Sequence, residues 1–343
     1  MMDKSSSPPG ATDHPENRGF AFKSEELSDA CLQGAAQQWV PLEIHQISSG
    51  TYQGTCTALS TGGMHVVYED QNRLVHKTGF MPKNSCTVSM FLSRDPAMRF
   101  SHFHHPERSQ VFLLPGGTDL DIQVPGGIDT VYVCLDQDRL MSGTRILNEP
   151  FWEETPRELQ AFDTPDANRL AYDMTGLLNP SLHTDNAPLP HLSSQAETLL
   201  LDSILLSLNK ATGVLAGDTP EYLARRRANQ RVKVAREFIE ASLDAGRVPS
   251  ILDICAQAGA SARALQYAFR EVMQLTPVAY LRILRLNKVR YALRAATTAD
   301  ATVTRIATDW GFFHLGEFAR DYLHLFGEYP SETLSRTLSR AAS

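Results

Sequence analysis

The sequence predicts a multidomain α and β chain: a β-rich N-terminal domain, a helical stretch, and an all-α C-terminal domain containing two helix-turn-helix units. Three observations predict it. From about residue 38 to 145, short β-favouring runs recur at roughly ten-residue intervals, the spacing of an antiparallel sandwich or barrel. From about 150 the apolar residues take up helical spacing. The charge also changes sign along the chain: from residue 221 onward 18 Lys and Arg face 12 Asp and Glu, whereas 14 face 27 before it. The net charge of −7 therefore hides an acidic body joined to a basic domain, the asymmetry of a nucleic-acid module.

Composition narrows the class. With 343 residues, 42% hydrophobic and 21% charged, the chain is long enough for two cores and too apolar to be disordered throughout. The densest apolar run, "LLLDSILLSL" at 199–208, is broken by Asp202 and two serines, so no membrane contact is expected. The start, "MMDKSSSPPGATDHPENRG", has no basic lead followed by an apolar core. It reads as a disordered tail over 1–20 rather than a secretory signal, and a cytoplasmic protein is expected. Five scattered cysteines without a CxxC pair fit reduced thiols, not structural zinc or a disulfide framework.

The elements follow in order. "VPLEIHQI", "TYQGTCTAL", "GMHVVYE", "SCTVSMFL", "QVFLLPGG", "LDIQVPGG" and "DTVYVCL" read as strands, and "PRELQAF" at 156–162 reads as helical. In "SSQAETLLLDSILLSLNKA", Leu201, Ile204, Leu205 and Leu208 form one helix face, suited either to packing on the chain's own sheet or to dimerisation. "GVLAGDTPEY" at 213–222 has linker composition. The expected divisions are a tail at 1–20, a β-rich domain at 21–185, a helical dimerisation or linker segment at 186–230, and a helical domain at 231–343.

In that last domain, "NQRVKVAREFIEASLDAG" puts Val232, Ala235, Ile239 and Leu243 on one face and stops at Gly246. Ser250, with Asp253 three places on, caps a two-turn helix, "AGA" breaks it, and Ser261 caps the next. In this second helix Leu265, Ala268, Phe269 and Val272 point inward, while Arg263, Gln266, Tyr267 and Arg270 point outward. Small residues at the corner let the two helices cross steeply and leave the second one projecting. A guanidinium and an amide on its outer face suit guanine and adenine edges. Thr276 and Pro277 open a long helix with the stripe Ala279, Ile283, Leu286, Val289 and Leu293. Arg282, Arg285 and Lys288 lie beside that stripe, Arg282 and Arg285 suited either to phosphate contact or to internal ion pairs. The pattern then repeats around Gly311, 52 positions after Gly259, with Leu315, Phe318 and Tyr322 following.

The stretch from about 231 to 340, with "LDICAQAGASARALQYAFRE", "LTPVAYLRILRLNKVRYAL" and "TVTRIATDWGFFHLGEFARDYLHLFGEYPSETL", resembles the C-terminal domain of the AraC/XylS family of bacterial transcription regulators. The resemblance implies about seven helices, promoter DNA and RNA polymerase as partners, and usually activation. It implies DNA contacts from Arg263, Gln266 and Tyr267, with Arg270 on the same face, in the first unit. In the second it implies His314, Leu315, Gly316, Glu317 and Arg320. Cys255 stands where alanine is usual. Leu315 and Gly316 offer no side-chain hydrogen bond to a base, so the first unit is expected to supply more of the specificity.

In "FSHFHHPERSQVF", His102 and His104 alternate as ligands on one strand face would, with Glu107 close behind. The spacing resembles a metal-binding cupin motif but departs from it. Family sensors are often cupin-like barrels that hold a small effector without metal, so His102, His104 and Glu107 are expected to line an effector pocket. No cofactor, no metal and no catalytic residue is expected. A cupin-type metalloenzyme using His102 and His104, with a helical appendage, is the alternative. "FLLPGGTDLDI" is similar to the N-terminal part of regulators of amine and aromatic-acid catabolism, such as the ethanolamine-operon type. The expected function is a homodimeric, effector-controlled activator of a catabolic operon, not an enzyme.

Overall fold

A computed structural model describes residues 21–93, 99–100, 111–179, 190–213, 220–297 and 301–341. The N-terminal half consists of two antiparallel sheets. The larger is ordered β1 (Ala21–Leu27), β3 (Gly54–Ser60), β4 (Met64–Gln71), β10 (Thr130–Asp136), β6 (Ser85–Phe91), β8 (Val111–Leu114), β11 (Gln160–Asp163) and β12 (Thr212–Gly213). The smaller is ordered β2 (Leu42–Gln46), β5 (Val75–Phe80), β9 (Asp119–Val124) and β7 (Arg99–Phe100). Strand alternation distributes the side chains: along β10, Val131, Val133 and Leu135 enter one core, while Tyr132 and Cys134 enter the core between the sheets.

The first of these cores is roofed by α2 (Gln137–Leu147), α4 (Ala167–Leu177) and α5 (Pro190–Asn209). Leu200, Ile204 and Leu208 of α5 are buried in it, and Leu201 and Leu205 pack against it, so the leucine stripe faces the chain's own sheet. Two short helices, α1 (Ala30–Ala35) and α3 (Glu149–Trp152), complete this half.

Two expectations change. Among the described residues the two sheets form separate hydrogen-bonded ladders, so a closed barrel is not formed. "PRELQAF" is not a helix: Gln160 to Phe162 pair antiparallel with β8, and Phe162 packs on Trp152 with ring centroids 5.6 Å apart. There an unfilled sheet edge outweighs local propensity. Strand β5 escaped the sequence reading because the buried positions of "VHKTGF" include His76 and Lys77, 0% and 2% exposed.

The C-terminal half has seven helices among the described residues: α6 (Pro220–Asp244), α7 (Ile251–Gln257), α8 (Ala262–Met273), α9 (Pro277–Arg294), α10 (Val303–Asp309), α11 (Leu315–Phe326) and α12 (Pro330–Ala341). The caps at Ser250, Ser261 and Thr276 sit where the sequence placed them. Ser250 accepts from the Asp253 N–H while the Asp253 carboxylate accepts from Ser250, and Ser261, Thr276 and Thr302 each cap the helix that follows. Gly246, Gly259 and Gly311 all have positive φ, at +71°, +57° and +77°. One core joins α6, α7, α8 and the first half of α9, and a second joins the rest of α9 with α10, α11 and α12. Helix α9 is thus the shared spine of two helix-turn-helix units.

Candidate nucleic-acid interface and domain contact

Helix α8 buries Leu265, Ala268, Phe269 and Met273 and leaves Arg263, Gln266, Tyr267 and Arg270 exposed on the opposite face. Arg263 is steadied there: its Nη2 donates to the Tyr267 hydroxyl at 3.3 Å, and its guanidinium carbon lies 5.6 Å from the ring centroid. On α11, Phe318 and Tyr322 are buried, while His314, Leu315, Gly316, Glu317 and Arg320 are exposed. His314 holds the N-cap position without a side-chain cap bond, and Arg320 Nε donates to the Gly316 carbonyl at 3.4 Å. Each outward set therefore occupies one solvent face of the second helix of its unit.

Two arginines whose roles the sequence left open are placed by their partners. Arg285 Nε donates to the Trp310 carbonyl at 2.8 Å, and its guanidinium covers Phe312 at 4.1 Å from the centroid. Burial first, and then the charge of Arg282, lower its pKa. It braces the corner at Gly311 from inside. Arg282, half exposed, pairs with Asp321 and lies 3.9 Å from Glu317.

The sequence reading missed a polar contact between the two halves. Asn287 on α9 accepts from the Gln46 N–H and donates to the Gln46 carbonyl, each at 2.9 Å. Arg290 pairs with Asp29, just before α1, and with Glu328 at 2.8 Å, while Arg294 lies 3.4 Å from Asp29. Lys288 joins Glu43 at 3.1 Å and Asp244 at 3.0 Å. The Glu43 carboxyl is lowered to about 2, chiefly by His45, whose Nε2 lies 3.4 Å away, with Lys288 helping against burial. Arg236 on α6 pairs with Asp121, beside fully buried His76. Burial raises Asp121, but Arg236 and the His76 contact prevail and hold it well below the carboxylate range. Burial, then Arg236, lowers the His76 imidazole to about 4. Periodicity gives no signal for this contact, because Asn287 and Arg290 read as ordinary polar positions of α9 until Gln46 and Asp29 lie beside them.

Beside the contact, a crevice of about 390 Å³ is walled by Phe80, Leu114, Leu120, Arg157, Arg226 and Lys233. Lys233 donates to Asp119 at 2.6 Å across it. His102, His104 and Glu107, read from sequence as effector-pocket residues, lie outside the described residues. None of the described helices is long and apolar enough to cross a membrane.

Residues 254–336 match the family model described as a helix-turn-helix domain. The chain is 38% identical over 103 residues to a probable thc operon regulatory protein of Rhodococcus erythropolis, covering 30% of each chain. It is 39% identical over 99 residues to a XylDLEGF operon transcriptional activator 2 of Pseudomonas putida, covering 29% of this chain and 62% of that one. The match thus spans less than two thirds of either relative. A solved structure, of a probable AraC family transcriptional regulator from Rhodopseudomonas palustris, is 37% identical, with a TM-score of 0.29, over 31% of this chain and 96% of that one.

Proposed function

With the C-terminal domain a helix-turn-helix domain of the AraC/XylS type, we propose that the whole chain is a sequence-specific DNA-binding regulator that activates a catabolic operon under control of a small-molecule effector. The observation that supports this best is the pairing of two helix-turn-helix corners on one spine, α9, with exposed polar faces on α8 and α11. Two such faces about one DNA turn apart, roughly 34 Å, would enter successive major grooves. Arg263, Gln266, Tyr267 and Arg270 read bases, and Arg320 and His314 grip the backbone around Leu315, Gly316 and Glu317.

The N-terminal half is the cupin-like sensor. It is joined to α6 and α9 by buried pairs, so an effector that binds the docked and undocked arrangements unequally shifts the DNA-binding domain between them. RNA polymerase is the partner of the DNA-bound form, and the protein works in the cytoplasm without catalysing a reaction. A homodimer is supported by Tyr172, Leu199 and Leu206, exposed on the outer side of α4 and α5 at 77%, 71% and 41%.

The test is selection of duplexes from a random pool by the intact chain, followed by footprinting. A recovered motif with two half-sites spaced by one helical turn supports the reading. Recovery of no sequence preference at low and moderate salt defeats it.

A further inference from the structure

Between the two sheets lies a polar chamber inside an otherwise apolar core. At its centre Glu69 and Lys77, 3% and 2% exposed, form an ion pair. Such a pair has no net charge, so what it solvates best is a neutral group with both a donor and an acceptor.

Two such groups fill the chamber, and both belong to the α1 region. The Gln33 carboxamide donates to Glu69 at 2.8 Å and accepts from the Tyr52 hydroxyl at 2.5 Å. The Gln37 carboxamide donates to the same Glu69 oxygen at 2.7 Å and accepts from the Tyr132 hydroxyl at 2.7 Å. Glu69 and two tyrosines therefore hold two primary carboxamides in the same way, each by its N–H and its carbonyl. Burial raises both tyrosine pKa values, which keeps the hydroxyls as donors.

The segment supplying these groups also touches the DNA-binding half. Asp29, the N-cap of α1, is the carboxylate that pairs with Arg290 and Arg294 of α9. Outside α1, a cleft of about 580 Å³ is bordered by Ala35 and Gln38 at the end of the helix and by Lys288 and Tyr291 of α9.

We propose that this chamber is a binding site for a small primary carboxamide, filled here by the chain's own Gln33 and Gln37, and that α1 relays its occupancy to α9 through Asp29. The proposal rests on the effector reading above and gives that effector a chemical class. An incoming carboxamide takes the place of one glutamine against Glu69 and a tyrosine. The freed end of α1 moves toward the cleft, and the Asp29 pair with Arg290 loosens, releasing α9.

The test uses the full chain. Gln37→Ala removes the atoms of one acetamide molecule, so acetamide is the probe. Acetate, of the same shape but charged, and N,N-dimethylacetamide, which has no N–H, are the controls. Acetamide should raise the Tm of Gln37→Ala and bind about tenfold or more tightly than either control, the scale of one lost hydrogen bond to a charged group. Gln33→Ala carries the same measurement if Gln37→Ala does not fold. In the wild type, acetamide should change affinity for a duplex selected from a random pool in the same direction as Asp29→Asn.

Equal responses to acetamide and acetate in the alanine variants overturn the site. Wild-type DNA binding that no amide shifts, while Asp29→Asn does shift it, overturns the relay and leaves the glutamines as core packing. A chain without sequence-specific DNA binding defeats the regulator reading instead, and the Tm comparison still decides the chamber.

Discussion

Asn287 binds the backbone of Gln46 at both ends, its amide oxygen and nitrogen each 2.9 Å from the N–H and the carbonyl of that residue. A side chain of α9 thus pairs with β2 much as a neighbouring strand would. The same amide also donates to Ile283 at 2.9 Å, which fixes its rotamer. Asn287→Ala leaves a buried N–H and carbonyl unpaired, and about 1–3 kcal/mol of stability should go with them. Hydrogen exchange at the Gln46 amide should quicken while β4 amides keep their protection. An unchanged Gln46 amide would show that the halves meet without this pair.

Arg263 and Arg285 should fail in opposite ways. Arg263 is exposed and among the described residues its side chain rests on Tyr267, so Arg263→Ala should leave the Tm in place and lower specific over nonspecific DNA binding by about 1–3 kcal/mol. Arg285 supports Trp310 and Phe312 from within, so Arg285→Ala should lower the Tm while the salt slope of DNA binding stays the same. A reduced salt slope in Arg285→Ala would assign that side chain to phosphate instead.

His76 sets an acid limit on stability. Its folded pKa, about 4, lies below the ordinary 6.5, so the folded state resists a proton that the unfolded chain accepts. The stabilisation is fully present above pH 6.5 and is lost as pH falls from 6.5 toward 4. The loss reaches about 3 kcal/mol at the lower end. His76→Gln should flatten urea-unfolding stability over that window, whereas an unaltered slope would place the acid sensitivity elsewhere. Asp121 adds its own loss at still lower pH, because its carboxyl is held ionised by Arg236.

The C-terminal helices were legible because their signals are local: the Ser250, Ser261 and Thr276 caps act within three residues, and α6, α7 and α10 are stopped by Gly246, Gly259 and Gly311, each with positive φ. The strands with apolar alternation were legible for the same reason. What escaped was set by distant partners. Asn287 and Arg290 look like solvent-facing residues until Gln46 and Asp29, 241 and 261 positions away, are brought beside them. Lys77 and His76 likewise broke the pattern of β5, because the groups that make their burial tolerable are Glu69, Asp121 and Arg236 on other elements. The outward face of α8 was readable from periodicity and that of α11 through the family resemblance, but periodicity along α9 cannot show that Arg285, beside its apolar stripe, turns inward.

The two corner glycines, matched in sequence, should differ in what alanine does to them. At Gly259, φ is +57° and an added Cβ would meet nothing within 4 Å. Only the left-handed backbone opposes the change, about 1–2 kcal/mol. At Gly311, φ is +77° and the Cβ would come within 2.9 Å of a Val248 methyl and 3.1 Å of the Arg285 guanidinium. There the backbone cost is joined by crowding against a group that already braces the corner, about 2–4 kcal/mol in all. Asparagine, which tolerates left-handed backbone, should recover part of the loss at Gly259 but not at Gly311. Urea unfolding of the four variants measures this. Equal losses at the two sites would mean that the second corner relaxes away from Val248, and that Arg285 holds it less firmly than its contacts with Trp310 and Phe312 indicate.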